Sequence, residues 1–386
     1  MKRLEHWLLA VLGLLIVAAI LLFLITLRAD RSDTSETPPA AVQGETLVAR
    51  VVEVLEMGTV DLGGGMAHPY QKLLLYVERG SLAGQEIIVE EGTVNIVSED
   101  RLFEAGDRVY VERIPGTAEG GDLLYVTDYV RTAPIFWIVA LFFGLVVLVG
   151  RGKGLRSLGG TLFSLLVIFV FVIPQIIAGR DPVLVSIVGS VVLLAVSTYL
   201  VYGWNPKAHA AVAGMMISLL LTGLLAAAFV NWGRLTGLAA EEGSLLVVEL
   251  GPQVNLRGLV LGGIIIGSLG VLDDICVGQA SAVFELLNAN RELGWLELFR
   301  RSLNVGRDHI AAMVNTLLLA YMGASMPLML VFTIYQESLW RRLSREPIAE
   351  EIIRTMVGSV GLVLAVPITG LIASLLARWA VERGEN

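Results

Sequence analysis

Apolar residues come in long runs separated by short charged stretches, except between residues 28 and 131, where the rhythm shortens. The hydrocarbon core of a bilayer takes about 20 apolar residues per helix, and eight runs approach or meet that length. The first, Trp7–Leu27, follows Lys2 and Arg3. It exceeds the roughly 7–15 residues of a signal-peptide core, and no small-x-small cleavage site follows closely, so it predicts an uncleaved anchor. Seven more predicted spans are Pro134–Gly150, Leu158–Ala178, Val183–Gly203, Ala210–Trp232, Gly258–Leu272, Ile310–Ile334 and Met356–Trp379. Leu245–Leu250 is expected to lie in or dip into the interface.

Loop charges orient the spans. Lys2 and Arg3 place the N-terminus in the cytoplasm, and Arg151, Lys153 and Arg156 then fall in a cytoplasmic loop. Alternation also puts Arg291, Arg300, Arg301 and Arg307 inside. It puts Arg341, Arg342, Arg345 and Arg354 outside, against the positive-inside preference and offset in part by Glu337, Glu346, Glu350 and Glu351.

The short-period region divides in two. Residues 28–44 carry Asp, Ser, Thr and two prolines without periodicity and read as a polar linker behind the anchor at 1–27. Residues 45–131 read as an extracytoplasmic β-rich domain, with strands expected at 47–54, 72–77, 86–89, 107–112 and 123–126 and glycines between them. Five short strands predict a small barrel, OB-like or SH3-like, with a small sandwich fragment as the alternative. The expected fold class is thus an α-helical polytopic membrane protein of about eight transmembrane helices with a β-barrel-like domain inserted after the first. Residues 132–386 form the membrane domain.

Composition narrows the function classes. Hydrophobic residues make up 55% and charged residues 17%, with mean hydropathy +0.73. The net charge of −8 offers no footprint for nucleic acid, which also disfavours oligonucleotide binding by the β domain. One cysteine, Cys276, excludes an internal disulfide, and four scattered histidines match no zinc spacing, so no metal or cofactor is predicted. No P-loop, GxSxG elbow, HExxH helix or dinucleotide fingerprint is present, and no enzyme activity is predicted.

Candidate chemistry concentrates in two stretches. In the first, Gly263 and Gly267 form a GxxxG pair, with Gly270 following, that suits close helix approach. It runs into Asp273 and Asp274. If the helix continues, Asp274, Gly278, Ser281 and Glu285 share one stripe. Two carboxylates near the end of a membrane helix are costly to desolvate. They are expected to hold a proton or cation, or else to mark where the helix leaves the bilayer. The second stretch, Asn304 to His309, precedes Asn315 and Thr316. Here Arg307 is expected to pair with Asp273 or Asp274 across the helices, either lining a polar pocket or pinning two helix ends. His309 alone reads as an ordinary interfacial residue.

At these stretches the sequence resembles the YibE/F family of bacterial multi-pass membrane proteins. The resembling strings are Arg257-Gly258-Leu259 through Gly270-Val271-Leu272-Asp273-Asp274, then Gln279-Ala280-Ser281 and Glu285-Leu286. Val305-Gly306-Arg307-Asp308-His309-Ile310, Val314-Asn315-Thr316-Leu317, Leu319 to Ser325 and Ala365-Val366-Pro367-Ile368-Thr369 continue the match in order. The resemblance extends over most of the chain, and implies a bacterial plasma-membrane location and a transport-like role without naming a substrate.

Two functions compete. The first is a secondary transporter or ion-coupled permease for an unknown small solute or ion. Asp273 and Asp274 would be its proton or cation sites, Gln279, Ser281 and Asn315 neutral ligands, Arg307 the counter-charge, and Asp308 its orienting partner. The second is a non-transporting scaffold or accessory subunit whose β domain binds an envelope protein. An intramembrane enzyme, lacking any nucleophile–base constellation, stands behind both.

Overall fold

The computed structural model describes residues 44–61, 67–92, 102–116, 122–239, 241–251, 253–334 and 337–383. The expected anchor at 1–27 and nearly all of the linker lie outside them. The chain divides into two compact units near residue 145.

In the first unit, period-2 alternation produces five antiparallel strands: β1 (Glu45–Asp61), β2 (Ala67–Arg79), β3 (Glu86–Glu91), β4 (Arg108–Ile114) and β5 (Leu123–Tyr129). Their order is β3-β2-β1-β4-β5, and β3 also approaches β5. Each expected strand is present, and β1 and β2 run longer than expected. β1 serves two partners through its two edges: Val48–Asp61 pair with β2, with register shifts at Val48/Ala49, Val51/Glu53 and Val54/Glu56, and Glu45–Arg50 pair with β4; such bulges bend a strand. Leu47, Ala49 and Val51 meet Leu73, Leu75, Val77, Val109 and Val111 in a core closed by Phe103. One polar side chain enters that core. Gln71 donates from Nε2 to the Phe103 carbonyl at 3.0 Å and accepts the Phe103 N–H at 2.8 Å, so it pairs the Phe103 backbone as a strand neighbour would.

The second unit is helical. The elements are α1 (Thr132–Ile177), whose first residues fall in the other unit, α2 (Pro182–Tyr202), α3 (Pro206–Trp232), α4 (Glu241–Leu250), α5 (Leu256–Ala289), α6 (Trp295–Ala324), α7 (Met326–Ile334), α8 (Leu339–Leu343) and α9 (Glu346–Glu382). Among the described residues, five helices are long and apolar enough to cross a membrane, or six if the bent pair α6–α7 is one span. The second and third expected spans both fall in α1. Its 46 residues would reach about 69 Å if straight, over twice the roughly 30 Å hydrocarbon core. Arg151, at φ 49 and ψ −133, breaks it. Val146 and Gly154 are in such close contact that a side chain at Gly154 would meet the Val146 carbonyl, so the axis turns sharply there. A π-turn at Ile168–Val172 precedes Pro174, whose missing N–H releases a carbonyl in that turn.

Two expected boundaries need correction. The sixth span does not end at Leu272: the helix continues to Ala289, so Asp273 and Asp274 sit midway along α5. Ile310–Ile334 is no single straight span, because α6 begins at Trp295 and meets α7 at a 63° bend. Pro327 follows the bend, where a residue without an N–H suits the first turn of a new helix.

Side-chain pairings fix the helix directions. Gly214 and Gly361 face Thr369 and Thr222 respectively, so α3 and α9 are antiparallel. Ser268 lies by Gly358 and Gln279 by Gly370, so α5 and α9 are parallel; Gly262 packs on Ser186 of α2. The interior is formed chiefly by α3, α5 and α9, with α2 against α5 and α6 against α9 and α5. The expected glycine seam is shifted by one residue. Gly263 and Gly270 have no described neighbour within 4 Å of an added Cβ and Gly267 meets only the Tyr321 hydroxyl, whereas Gly262 touches Ser186 closely.

Candidate functional site

Long helical hydroxyl side chains usually return their hydrogen bond to the carbonyl four residues earlier. Thr222, Ser268, Ser359 and Ser374 do so, at 2.7 to 2.8 Å. Others do not. Among the described residues, Ser190 and Thr198 of α2, Ser218 of α3 and Thr369 of α9 are buried with hydroxyls lacking a hydrogen-bond partner, as is Gln175 Oε1 of α1. Asp273 Oδ1 in α5 joins them. A buried polar atom left unpaired costs about 1–3 kcal/mol, and in hydrocarbon no water offsets that cost.

Four of these helices meet near Asp273. Thr198 lies against the Asp273 carboxyl, although neither Thr198 Oγ1 nor Asp273 Oδ1 completes a hydrogen bond of acceptable geometry. Cys276, one turn on from Asp273, is fully buried and approached by Thr369, which itself sits over Gly214 of α3. The result is a polar cluster of one carboxylate, two unpaired hydroxyls and a thiol, contributed by α2, α5 and α9 with the α3 backbone behind.

Asp274 faces another way and is exposed. Its electrostatic partner is His309 of α6, whose ring lies within 3.5 Å of a Cβ placed on Gly278. Tyr202, at the end of α2, interacts electrostatically with both aspartates. Just beyond, Trp204 stacks on Tyr199 at 4.5 Å between ring centres, and Tyr199 Oη lies 2.9 Å from His209 Nδ1. Aromatic clusters of this kind mark the membrane–water boundary. Thr198 adjoins this cluster in α2, and α5 continues past Asp273 to Ala289.

Arg307 does not meet the aspartates. It is exposed and donates from Nη1 to Asn304 Oδ1 of its own helix at 3.1 Å. The inner face of α6 carries Ser302, Gly306, His309, Met313 and Leu317, spaced by four, three, four and four residues; Arg307, Asp308 and Asn315 fall on the outer side and are exposed. Gln279 is buried, fills the notch between Gly306 and Gly370, and donates to the Ser302 carbonyl at 3.0 Å, which makes it a helix–helix tie. Ser281 is half-buried and Glu285 exposed on the Asp274 stripe. Of the expected residues, then, the structure sets Asp273 beside Thr198 and turns Asp274 toward His309, with Tyr202 near both and Thr369 at Cys276.

A family model described as YibE/F-like protein matches residues 138–379, well over half the chain. The chain belongs to the YibE/F-like family. No curated protein and no solved structure matches it. The matched segment takes in every helix that supplies the polar centre and leaves out the β domain, so the family resemblance belongs to the membrane region. For this YibE/F-like chain the membrane-embedded character is shared between the family match and the apolar helices.

Proposed function

We propose that this YibE/F-like protein is a secondary transporter or ion-coupled permease whose coupling group is Asp273. The reading rests on the buried Asp273 oxygen that no donor satisfies, placed beside the equally unpaired Thr198 hydroxyl, with the unpaired Thr369 hydroxyl at Cys276 one turn away. Oxygen donors of this kind suit a proton or an alkali cation. With Asp273 loaded, its charge is compensated and α2, α5 and α9 pack tightly; with the site empty, the uncompensated carboxylate draws water and loosens the same contacts. That difference is what a ligand needs in order to shift a conformational equilibrium. His309 beside Asp274 supplies a second protonatable group nearer the aqueous side. No nucleophile–base pair stands out among the described residues, and the reading is non-enzymatic.

The setting belongs to the same reading: a bacterial inner membrane, a cytoplasmic N-terminus and an extracytoplasmic β domain. The strand order β3-β2-β1-β4-β5 with β3 near β5 supports an OB-like barrel. A second reading, a scaffold whose β domain grips an envelope protein, draws on Val52, Met57 and Ile88, which expose apolar side chains on that domain.

The test is charge movement by reconstituted protein on a solid-supported membrane, challenged with protons and alkali cations. A current in the wild type that falls at least tenfold in Asp273→Asn supports coupling at this site. An undiminished current in the variant refutes it.

A further inference from the structure

The donors around Asp273 discriminate between the ions it could take. Hard cations gather about six oxygen ligands or more. Transporters often supply part of such a set from the carbonyls of unwound helices. Around Asp273 the helices stay wound. α5 runs from Leu256 to Ala289 and α2 from Pro182 to Tyr202 without a break, and the bends at Arg151 and between α6 and α7 belong to other segments. Pro367, inside α9, frees the carbonyl four residues earlier, at Val363. Val363 is 41% exposed while Thr369, the α9 residue that reaches Cys276, is fully buried, so the freed carbonyl and the site lie on different faces of α9. The site itself offers one carboxylate and the Thr198 hydroxyl, with the Thr369 hydroxyl and the Cys276 thiol one turn away. A thiol is a soft ligand and adds nothing for an alkali cation. Among the described residues, no group of three or more His, Cys, Asp or Glu could hold a metal ion.

A proton needs far less. Thr198 lies against the Asp273 carboxyl, and Thr198 Oγ1 and Asp273 Oδ1 each lack a hydrogen-bond partner. Placed on Oδ1, a proton turns an acceptor-only carboxylate into a donor, and one bond from Oδ1 to Thr198 Oγ1 then satisfies both atoms. The proton comes from hydronium on the aqueous side, leaves water behind and cancels the carboxylate charge, so no further ligand is required. The titratable groups that face Asp273 are Asp274 and Cys276 of its own helix and Tyr202 of α2, with His309 of α6 beside Asp274. No lysine or arginine stands among them to hold a negative charge in place. From α3 and α9 the neighbours are Gly214 and Thr369, which do not titrate.

We propose that the ion Asp273 takes is a proton, held through a hydrogen bond from its carboxyl to Thr198, and that sodium and potassium are not its ligands. This rests on Asp273 as the coupling group and adds the identity of the ion. The experiment is infrared difference spectroscopy of the full-length protein reconstituted in lipid, titrated from alkaline to acid in sodium, potassium or choline chloride at equal ionic strength. The wild type is expected to gain, on acidification, the carbonyl-stretch band of one protonated carboxyl. Its midpoint is expected to stay unchanged when sodium or potassium replaces choline. A cation competing for the carboxylate would instead lower the midpoint by up to about one pH unit per tenfold rise in its concentration. Asp273→Asn is expected to lack the band, and Thr198→Val, which removes the acceptor, to move it to higher frequency. Should Asp273→Asn fail to fold, the Thr198→Val shift assigns the band by itself. A midpoint that falls with sodium or potassium overturns the proton and leaves Asp273 as the coupling group. The absence of any titrating band in the wild type also overturns the proton. A band that neither variant alters overturns it and removes Asp273 from the coupling role as well.

Discussion

The β domain and the helical bundle treat buried polar atoms in opposite ways. In the β domain Gln71 satisfies both backbone groups of Phe103, and Glu78 receives Arg50 and Arg108 at 2.7 and 2.6 Å. Among its described residues no buried side-chain polar atom lacks a partner; the unpaired ones lie in the helical unit, where Gln175, Ser190, Thr198, Ser218, Asp273 and Thr369 belong to the apolar spans. The helical unit is the one whose spans are long and apolar enough to enter hydrocarbon. Unpaired groups are costlier in hydrocarbon; of these, Thr198 lies beside Asp273 and Thr369 beside Cys276 one turn away, which is what the proposed coupling at Asp273 draws on. Natural proteins break local rules chiefly where function asks for it.

The largest predicted effect sharpens the packing side of this contrast. Gly214→Leu would drive a side chain into Thr369 and cost about 3 kcal/mol or more, read as loss of monodisperse protein in detergent. Gly263→Leu, with no described neighbour within 4 Å, is expected to leave the elution profile unchanged. Next, Gln71→Leu leaves the Phe103 N–H and carbonyl unpaired and is expected to destabilise the β domain by about 2 kcal/mol or more. Urea denaturation of a fragment spanning 44–131 checks this, and a cooperative transition there would also show that the domain folds alone.

A smaller effect divides the hydroxyls within the bundle. Thr198→Val removes no hydrogen bond and is expected to shift stability by less than about 0.5 kcal/mol, whereas Thr222→Val loses its bond to Ser218 and costs about 1 kcal/mol. Melting temperatures of the two variants, compared in one detergent, decide it; equal losses would erase the distinction between paired and unpaired sites. Smallest is Glu78. Hydrogen bonding to Arg50, with Arg108 adding to it, holds its carboxyl below the ordinary carboxylate value. The ion-pair contribution is therefore complete above the unfolded-state value and is lost as pH falls through the lower folded-state value. Glu78→Gln is expected to cost less than about 1 kcal/mol at neutral pH, with variant and wild type converging in acid denaturation curves.

Much of this fold was legible in the sequence. Strand periodicity placed all five β elements, and apolar runs placed α2 and α3 within a few residues at both ends and α9 at its C-terminal end. Hydropathy failed at Asp273, because a run ends at its first charge while a helix ends only where its backbone bonds do; the same confusion started α6 fifteen residues late. It also read straight across the α6–α7 bend, because hydropathy does not change there. At the site, both aspartates stood out by charge. Arg307 was misplaced because adjacency in sequence says nothing of which helical face turns inward, and the stripe through Ser302, Gly306 and His309 decides that. Thr198 and Thr369 carried no signal of their own, since a hydroxyl in an apolar run reads the same whether or not it bonds its own helix.

The central claim is that Asp273 binds a ligand rather than serving as a structural strut. Its most direct test is the melting temperature of full-length protein in detergent, titrated with sodium, potassium and protons, beside Asp273→Asn. A ligand at a hundred times its dissociation constant stabilises by about 2.7 kcal/mol. The account predicts that one of these cations raises the wild-type melting temperature by several degrees. Asp273→Asn should start at or above the unliganded wild type and stay flat. A variant that melts well below the wild type in every condition, or that responds to the cations as the wild type does, would contradict it.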